Sequence, residues 1–196
     1  VKTEQLEPDF IKEFVSKAEV EYSFKNVTFT TFQDCIRFVK KENKLIKPKI
    51  SEYLTVTVGK TRFTIKDKGE ITQFCKNSGK SLKGVKHTPE KKETLRRIYN
   101  RVYNLNAKKE TLNPPDIDAE KEIKKHKFLR FIKRYTYEFD KFKIEFSIIK
   151  QSRGNVDKFE DSDLFEQPEH YEIEIEFDKD YNEDNFTFRK EFIKYI

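Results

Sequence analysis

Alternating apolar and polar residues mark several segments of the chain, most clearly near its carboxyl end. There Ile173, Ile175 and Phe177 alternate with acidic residues, and residues 19–24 show the same period of two. Because successive side chains of a strand point to opposite faces, each segment is predicted to be a strand with one apolar face. The same pattern, with turns at Gly59-Lys60, Lys68-Gly69 and Asp140-Lys141, predicts strands over residues 54–58, 61–66, 71–76, 128–139 and 142–150.

Helical periodicity accounts for most of the remaining apolar positions. Residues 9–18 are a predicted short helix with Pro8 near its start, and Thr31-Phe32-Gln33-Asp34 resembles a capping box that opens a second helix. A polar loop is expected over residues 151–168. Two further helices are predicted: one from Thr88 through the spacing of Leu95, Ile98, Val102 and Leu105, and a terminal one through Phe188, Phe192 and Ile196.

Three glutamates, Glu172, Glu174 and Glu176, share one face of the predicted strand near the carboxyl end. Carboxylates two residues apart on a strand are separated by about 7 Å, which gives about 2.4 kcal/mol of repulsion per pair at an effective dielectric constant of about 20. In bulk water the same repulsion is about 0.6 kcal/mol. The row therefore fits either the solvated outer face of a sheet or an interior in which a cation neutralises it.

A second acidic strand favours the interior site. Glu19 and Glu21 share a face opposite Val20, Tyr22 and Phe24. Carboxylate oxygens from two strands are the ligands that Mg2+ or Mn2+ prefers, and neither histidine nor cysteine takes part in the pattern. The sequence therefore predicts a site for Mg2+ or Mn2+ between the two acidic strands.

Other predicted strands are apolar on one face and carry basic residues on the other. These charged faces comprise Arg62, Thr64 and Lys66 on one strand, Lys143, Glu145 and Ser147 on a second, and Arg130 and Arg134 on a third. Lys133 lies on the opposite side of that third strand. A sheet closed into a barrel with a charged lumen, and with helices over its apolar outside, accommodates the pattern. The alternative is a highly charged sheet exposed to solvent.

Composition limits the classes of protein that fit. Charged residues make up 39% of the 196 residues, yet 19 Phe and 9 Tyr supply enough apolar surface for a folded core. The net charge of +6 favours a polyanionic partner. Two cysteines without CxxC spacing exclude a zinc finger and a disulfide scaffold, and no apolar run approaches the length of a membrane helix. We expect a soluble single domain over residues 1–196, cut from a longer polypeptide because the chain contains no Met.

The order of the charged strands resembles that of a known family. Glu19-x-Glu21 and Glu172-x-Glu174-x-Glu176 resemble the two glutamate motifs of the metal-dependent RNA 5'-triphosphatases, which belong to the triphosphate tunnel metalloenzymes. The stretch RFIKRYTYEFDKFKIEFSIIK resembles the basic strand pair that precedes the last glutamate strand of that family. The small size and the Lys- and Phe-rich composition are most similar to the triphosphatase domains of giant-virus mRNA capping enzymes.

This resemblance implies an eight-stranded antiparallel tunnel and a role for each acidic residue. By analogy with the family, Glu19, Glu21 and Glu176 would be the direct metal ligands. Glu174 would hold or activate the attacking water, and Glu172 would orient its basic neighbours. The cofactor implied is Mg2+ or Mn2+.

The basic residues receive their roles in the same way. The family's basic pair is usually spaced by one residue, whereas Ile132 stands two residues before Arg134, so both Arg130 and Lys133 remain open as its partner. Glu145 and Ser147 match the acidic and hydroxyl positions that support the site. The phosphate-binding candidates are Arg62, Lys66, Arg130, Lys133, Arg134 and Lys143, of which Arg134 and Lys143 are also the catalytic candidates beside Glu174.

The implied activity is divalent-metal-dependent removal of the γ-phosphate from the 5'-triphosphate end of nascent mRNA, the first step of capping. Related adenylate cyclases and thiamine triphosphatases carry ExExK near the amino end, where this chain has Glu19-x-Glu21-x-Ser23. The alternatives are a tunnel-type phosphatase acting on free nucleotides or tripolyphosphate, and a non-catalytic basic RNA-binding module. The expected partners are triphosphate-ended RNA and guanylyltransferase and methyltransferase domains on the same polypeptide, with no membrane; the expected location is cytoplasmic, in a viral factory or virion if the protein is viral.

Overall fold

The strands predicted near both ends of the chain belong to one closed sheet. The computed structural model describes residues 2–42, 44–181, 191–192 and 196. Within them the strands are β1 Glu19–Phe24, β2 Lys49–Val58, β3 Thr61–Ile65, β4 Thr88–Tyr99, β5 Tyr103–Leu112, β6 Phe128–Glu138, β7 Phe142–Gln151 and β8 His170–Phe177. All eight form an antiparallel barrel in the order β1-β5-β4-β3-β2-β6-β7-β8, which confirms the predicted fold class.

Strand β1 closes the barrel, because it pairs with β5 along one edge and with β8 along the other. Glu21 consequently lies opposite Asn106 on one side and opposite Glu176 on the other. Directly opposed residues of an antiparallel pair share a face of the sheet. The acidic faces of β1 and β8 therefore adjoin each other on the inner wall.

The apolar faces of the strands form two clusters outside the barrel. The larger cluster packs α1 (Lys2–Phe14) and α2 (Phe29–Glu42) against strands that include β1, β7 and β8, with Tyr22, Phe146 and Ile175 buried in it. The smaller cluster lies under α3 (Lys68–Lys76) and contains Phe63 and Phe74. Each large apolar side chain buried in this way contributes about 1.5 to 3 kcal/mol to folding. The wall is therefore held from outside, and its inner face is free for charged residues.

Both amino-terminal helices begin earlier than the sequence predicts. α1 begins at Lys2, so Pro8 lies inside it rather than near its start. α2 begins at Phe29, because the Thr28 hydroxyl caps it by accepting the Thr31 backbone N–H at 3.1 Å. The predicted capping box starting at Thr31 is therefore wrong by three residues, although Phe32 and Val39 are buried as expected.

Two segments have a different secondary structure from the one predicted. Residues 71–76 belong to helix α3 rather than to a strand, since Asp67 caps the helix by accepting the Gly69 and Glu70 backbone N–H groups at 2.8 and 3.2 Å. The helix predicted from Thr88 is instead the hairpin of β4 and β5. Tyr103, Leu105 and Ala107 alternate with polar residues there, and their burial on the barrel outweighs the helical spacing.

The remaining segments are short or irregular. α4 spans Ala119–Glu122, and two 3-10 turns, Glu160–Ser162 and Leu164–Glu166, interrupt the predicted loop over residues 151–168. The predicted terminal helix falls largely outside the described residues, including Phe188, although Phe192 is buried in the larger cluster. None of the described helices combines the length and apolar character needed to cross a membrane.

Candidate active site

The interior of the barrel brings together the glutamates that the sequence singles out. Cross-strand pairing places Glu21 opposite Glu176 and Ser23 opposite Glu174 between β1 and β8. Glu174 also lies opposite Glu145 on β7, and Glu172 lies opposite Ser147. The two acidic strands therefore form one wall of the tunnel.

A lysine balances each of the three predicted metal ligands. Lys92 Nζ lies 3.2 Å from a Glu19 oxygen, and Lys143 Nζ lies 3.0 Å from a Glu176 oxygen. Lys108 on β5 forms an ion pair with Glu21. The carboxylates are therefore neutralised in part by cations that side-chain rotation can remove.

Burial affects these carboxylates unequally. Burial, followed by the charge of Glu174, raises the pKa of Glu21 to about 7, although Lys108 opposes the shift. Burial also raises the pKa of Glu174 and of Glu176, against the charges of Arg134 and Lys143. For Glu19 the effect of burial is outweighed by Lys92, which lowers the pKa. Burial thus disfavours the ionised forms of Glu21, Glu174 and Glu176 more than the neighbouring cations favour them.

Arg134 is the centre of the opposite, basic part of the lining. Its Nε donates to the Ser147 hydroxyl at 3.0 Å, and its terminal nitrogens donate to Glu145 and, at 3.2 Å, to Glu174. The guanidinium also lies 5.9 Å from the centroid of the Tyr53 ring. Because one planar cation is held by several partners, its position is fixed before any ligand arrives.

Arg130 and Arg62 add further cations to the interior. Arg130 donates to Glu172 at 2.6 Å, while its buried Nε has no hydrogen-bond partner among the described residues. Arg62 lies 3.2 Å from Glu90. A buried guanidinium N–H without an acceptor costs free energy, and a phosphate oxygen in the tunnel would satisfy it.

Two of the predicted phosphate ligands lie apart from this group. Lys133 is on the outer face of β6, 42% exposed, with its Nζ 3.5 Å from Glu52. Lys66 follows the end of β3, is exposed, and borders a hollow on the outer surface together with Glu52 and Lys68. The pleat of β6 thus directs Arg130, rather than Lys133, to the same face as Arg134.

The sequence analysis missed the contributions of β4 and β5. Lys92 and Lys108 pair with predicted metal ligands, and Asn106 Nδ2 donates to Glu21 Oε1 at 3.2 Å. Lys92 lies in the segment predicted as a helix, and Asn106 and Lys108 lie just beyond Leu105, the last apolar position of that helix. The alternation of Tyr103 and Leu105 with polar residues would have indicated an inner face for Asn106 and Lys108; β4 carries too few apolar residues to give such a signal.

An apolar pair also lies within the charged interior. Ile132 and Ile149 are opposed across β6 and β7 and share the face of Arg130 and Arg134. Their exposed fractions are 4% for Ile132 and 0% for Ile149, yet neither residue belongs to the two outer clusters. The pair therefore lies between Arg130 and Arg134 on the inner face.

The donor chemistry fits a hard divalent cation. Glu19, Glu21 and Glu176 offer only carboxylate oxygens, and such a cation would oppose the burial and the charge of Glu174 that raise the pKa of Glu21. In the part of the chain that is described, no three acidic, His or Cys side chains converge on one point, and each of these glutamates forms an ion pair with a lysine.

Comparison with known proteins identifies the fold. No protein-family model matches the chain, and neither does any curated protein sequence. Among solved structures, a monoclinic crystal form of the mimivirus capping enzyme triphosphatase superposes with a TM-score of 0.71 at 16% identity, covering 99% of this chain and 95% of that chain. The S. pombe Pct1 RNA triphosphatase gives a TM-score of 0.61 at 10% identity, covering 99% and 83%. At these identities the likeness establishes a shared fold, the eight-stranded triphosphatase tunnel.

Proposed function

We propose that this protein is a divalent-metal-dependent polynucleotide 5'-triphosphatase, which hydrolyses the γ-phosphate from the 5'-triphosphate end of nascent mRNA and leaves a 5'-diphosphate end. The observation that carries the proposal is a closed tunnel in which the acidic wall around Glu21 and Glu174 faces Arg134 and Arg130. A triphosphate needs both a cation site and fixed positive charge. The proteins named RNA triphosphatases with the same fold support it.

The three predicted metal ligands keep the role that the resemblance implies. Glu19, Glu21 and Glu176 would hold Mg2+ or Mn2+, with Lys92, Lys108 and Lys143 turning from the carboxylates towards phosphate oxygens. The bound cation would supply Lewis-acid polarisation of the γ-phosphate. Lysines released in this way keep the tunnel's charge balanced when the polyanion enters.

The arginines would fix the triphosphate in position. Arg134 is held by Ser147, Glu145 and Glu174, so its remaining donor capacity points to one place in the lumen. Arg130 presents its free Nε beside it, and Lys143 and Arg62 complete the phosphate ligands. Charge that develops on the departing diphosphate is then stabilised by Arg134, which needs no reorganisation.

Glu174 is suited to the attacking water. Burial raises the pKa of this carboxyl, which makes its ionised form a better proton acceptor. Water held by Glu174 attacks the γ-phosphorus, the bond from phosphorus to the β–γ bridging oxygen breaks, and the proton passes to the carboxylate. The products are a diphosphate end and inorganic phosphate.

The decisive assay is phosphate release from a triphosphate-ended RNA with and without Mn2+. We expect release only with the metal, and a loss of at least about 100-fold in Glu21→Gln, because this change removes one anionic ligand without changing the side-chain volume. Glu93→Gln is the matched control, since Glu93 is exposed on β4. Equal release by wild type and Glu21→Gln would refute the proposal.

A second substrate class should be tested in the same assay, because the inner-wall groups assigned above bind phosphates rather than a base. Free tripolyphosphate or nucleotides would then also be accepted, and the ratio of kcat/KM for RNA to that for tripolyphosphate ranks the two activities. Metal-independent, salt-sensitive RNA binding without phosphate release would instead indicate a non-catalytic RNA-binding module.

The cellular context follows from the activity. We propose that the domain acts beside guanylyltransferase and methyltransferase domains on one polypeptide in the cytoplasm, or in a viral factory or virion if the protein is viral. A structural neighbour described as the RNA triphosphatase domain of a trifunctional mimivirus mRNA capping enzyme supports this arrangement. Transfer of labelled GMP to RNA by the full-length polypeptide would test it.

A further inference from the structure

The β4–β5 hairpin projects beyond its neighbour in the barrel wall. β3 pairs with β4 only from Thr88 to Lys91, whereas β4 and β5 stay paired out to Tyr99 and Asn104. The opposed pairs Arg97–Asn106 and Tyr99–Asn104 share the inner face, which continues the lining of the tunnel. The hairpin therefore extends the inner wall at one mouth.

An exposed aromatic ring lies on this extension near two cations. Tyr99 is 71% exposed, with Lys25 Nζ 5.8 Å and the Arg97 guanidinium carbon 5.7 Å from its ring centroid. Lys25 is held there because its ammonium group also donates to the Asn100 carbonyl at 2.6 Å. A ring flanked by positive charge is the arrangement on which a nucleobase stacks while its phosphates meet the cations.

The cations at this mouth differ from those deeper in the tunnel. Residues 94–106 include no acidic residue. Among the described residues, Arg97 has a neutral partner, Asn106, to which its Nε donates at 2.6 Å, and Arg101 is exposed without a carboxylate partner. Lys92, Lys108 and Lys143, by contrast, are paired with glutamates. The positive charge of Arg97 and Arg101 is thus available to an external polyanion.

A chain of contacts links the hairpin to the candidate active site. Arg97 binds Asn106, and Asn106 in turn donates to Glu21 at 3.2 Å. Beside them, the buried Oδ1 atom of Asn104 has no hydrogen-bond partner in the described part of the chain. A ribose hydroxyl can donate a hydrogen bond to such an atom. A free phosphate group without hydrogens cannot donate one.

We propose that the inner hairpin surface, defined by Lys25, Arg97, Tyr99, Asn104 and Arg101, binds the single-stranded RNA segment that adjoins the 5'-triphosphate. The proposal rests on the proposed function, which places the triphosphate beyond Asn106. The first nucleotides leave the tunnel along the hairpin, with a base stacked on Tyr99 and phosphodiesters near Arg97 and Arg101. RNA is thereby preferred over tripolyphosphate, which ends inside the tunnel.

The test compares substrates rather than activities alone. Phosphate release from a triphosphate-ended ten-nucleotide RNA and from tripolyphosphate is measured for wild type, Tyr99→Ala, Tyr99→Phe and Arg101→Gln. We expect Tyr99→Ala to lower kcat/KM for RNA about tenfold and to leave tripolyphosphate hydrolysis unchanged, while Tyr99→Phe retains the RNA rate. Arg101→Gln lowers the slope of log kcat/KM against log salt by about one, whereas Lys41→Gln on α2, an exposed charge control, changes neither rate.

Binding of a fluorescent ten-nucleotide RNA with a 5'-hydroxyl end separates this proposal from the proposed function. If wild type hydrolyses neither substrate but Tyr99→Ala weakens this binding about tenfold, the result supports RNA binding by the inner hairpin surface and refutes the triphosphatase proposal. If Tyr99→Ala leaves both the RNA affinity and kcat/KM for RNA unchanged, the proposed RNA-binding surface is refuted. It is also refuted if kcat/KM falls equally for RNA and for tripolyphosphate. The alternative hypothesis would then be that a protein partner binds the edge of β4 that β3 leaves unpaired beyond Lys91.

Discussion

The two faces of the barrel wall are built from the same strands but obey different rules. On β7, Phe146 points outward into aromatic contacts with Phe32 and Tyr137, whereas Glu145 and Ser147 on either side of it point inward to Arg134. The outer face gains stability from burial. The inner face lowers the stability of the fold, because it buries charged groups such as Glu21 and Glu174, and burial raises their pKa values. Stability and chemistry are thus separated by a single residue step.

The largest effect expected on the outer face comes from Phe146→Ala. This side chain is fully buried, so we expect a loss of about 3 to 5 kcal/mol in the free energy of unfolding, measured by urea titration. Phosphate release per folded molecule should remain close to wild type, because the inner neighbours are unchanged. Leu45→Ala, at a site 96% exposed, is the control, and a smaller loss in Phe146→Ala than in that control would break the comparison.

The matching change on the inner face is Glu174→Gln. Removing the proton acceptor should lower phosphate release about 100- to 1000-fold, or about 3 to 4 kcal/mol in activation free energy. Because burial disfavours the charged carboxyl, the neutral amide should change the free energy of unfolding by less than about 1 kcal/mol. Glu169→Gln, at an exposed glutamate, provides the control. Wild-type activity with lowered stability would reverse the assignment of the two faces.

The smallest effect is expected for Lys133→Ala. Its only described carboxylate contact is a half-exposed ion pair with Glu52, so we expect less than about 0.5 kcal/mol in stability and an unchanged rate. Arg134→Ala, one residue along the same strand, should abolish most phosphate release. Parallel rate measurements on the two variants sharpen the comparison, and equal losses would show that Lys133 also reaches the substrate.

Strands with one apolar face were predictable because their alternation is regular. β1, β6, β7 and β8 follow the predicted ranges closely, and the acidic rows around Glu21 and Glu174 do adjoin each other. The sequence did not predict the strands in which the alternation of apolar and polar residues is weak. In β4, the polar run before Leu95 gives no apolar face, and a bulge between Thr94 and Arg96 breaks the period that remains.

The remaining predictions for the site depended on which side chains point into the barrel. Alternation alone already placed Arg130 on the same face as Arg134. It also placed Lys66 on the same face as Arg62, but β3 ends at Ile65 and Asp67 caps the helix that follows. The unpaired Nε of Arg130 and the lysines that neutralise the glutamates depend on contacts between distant strands, such as Lys92 with Glu19. Such contacts have no local signature in a sequence.

The seam at β1 has a consequence for synthesis of the protein. β1 lies near residue 20 and its partner β8 ends at Phe177, so the last edge of the barrel is joined only after the chain as far as Phe177 has left the ribosome. Contacts between such distant segments form slowly. A nascent chain arrested before residue 170 would hold one glutamate row without its neighbour, so catalysis should begin abruptly when the final strand docks.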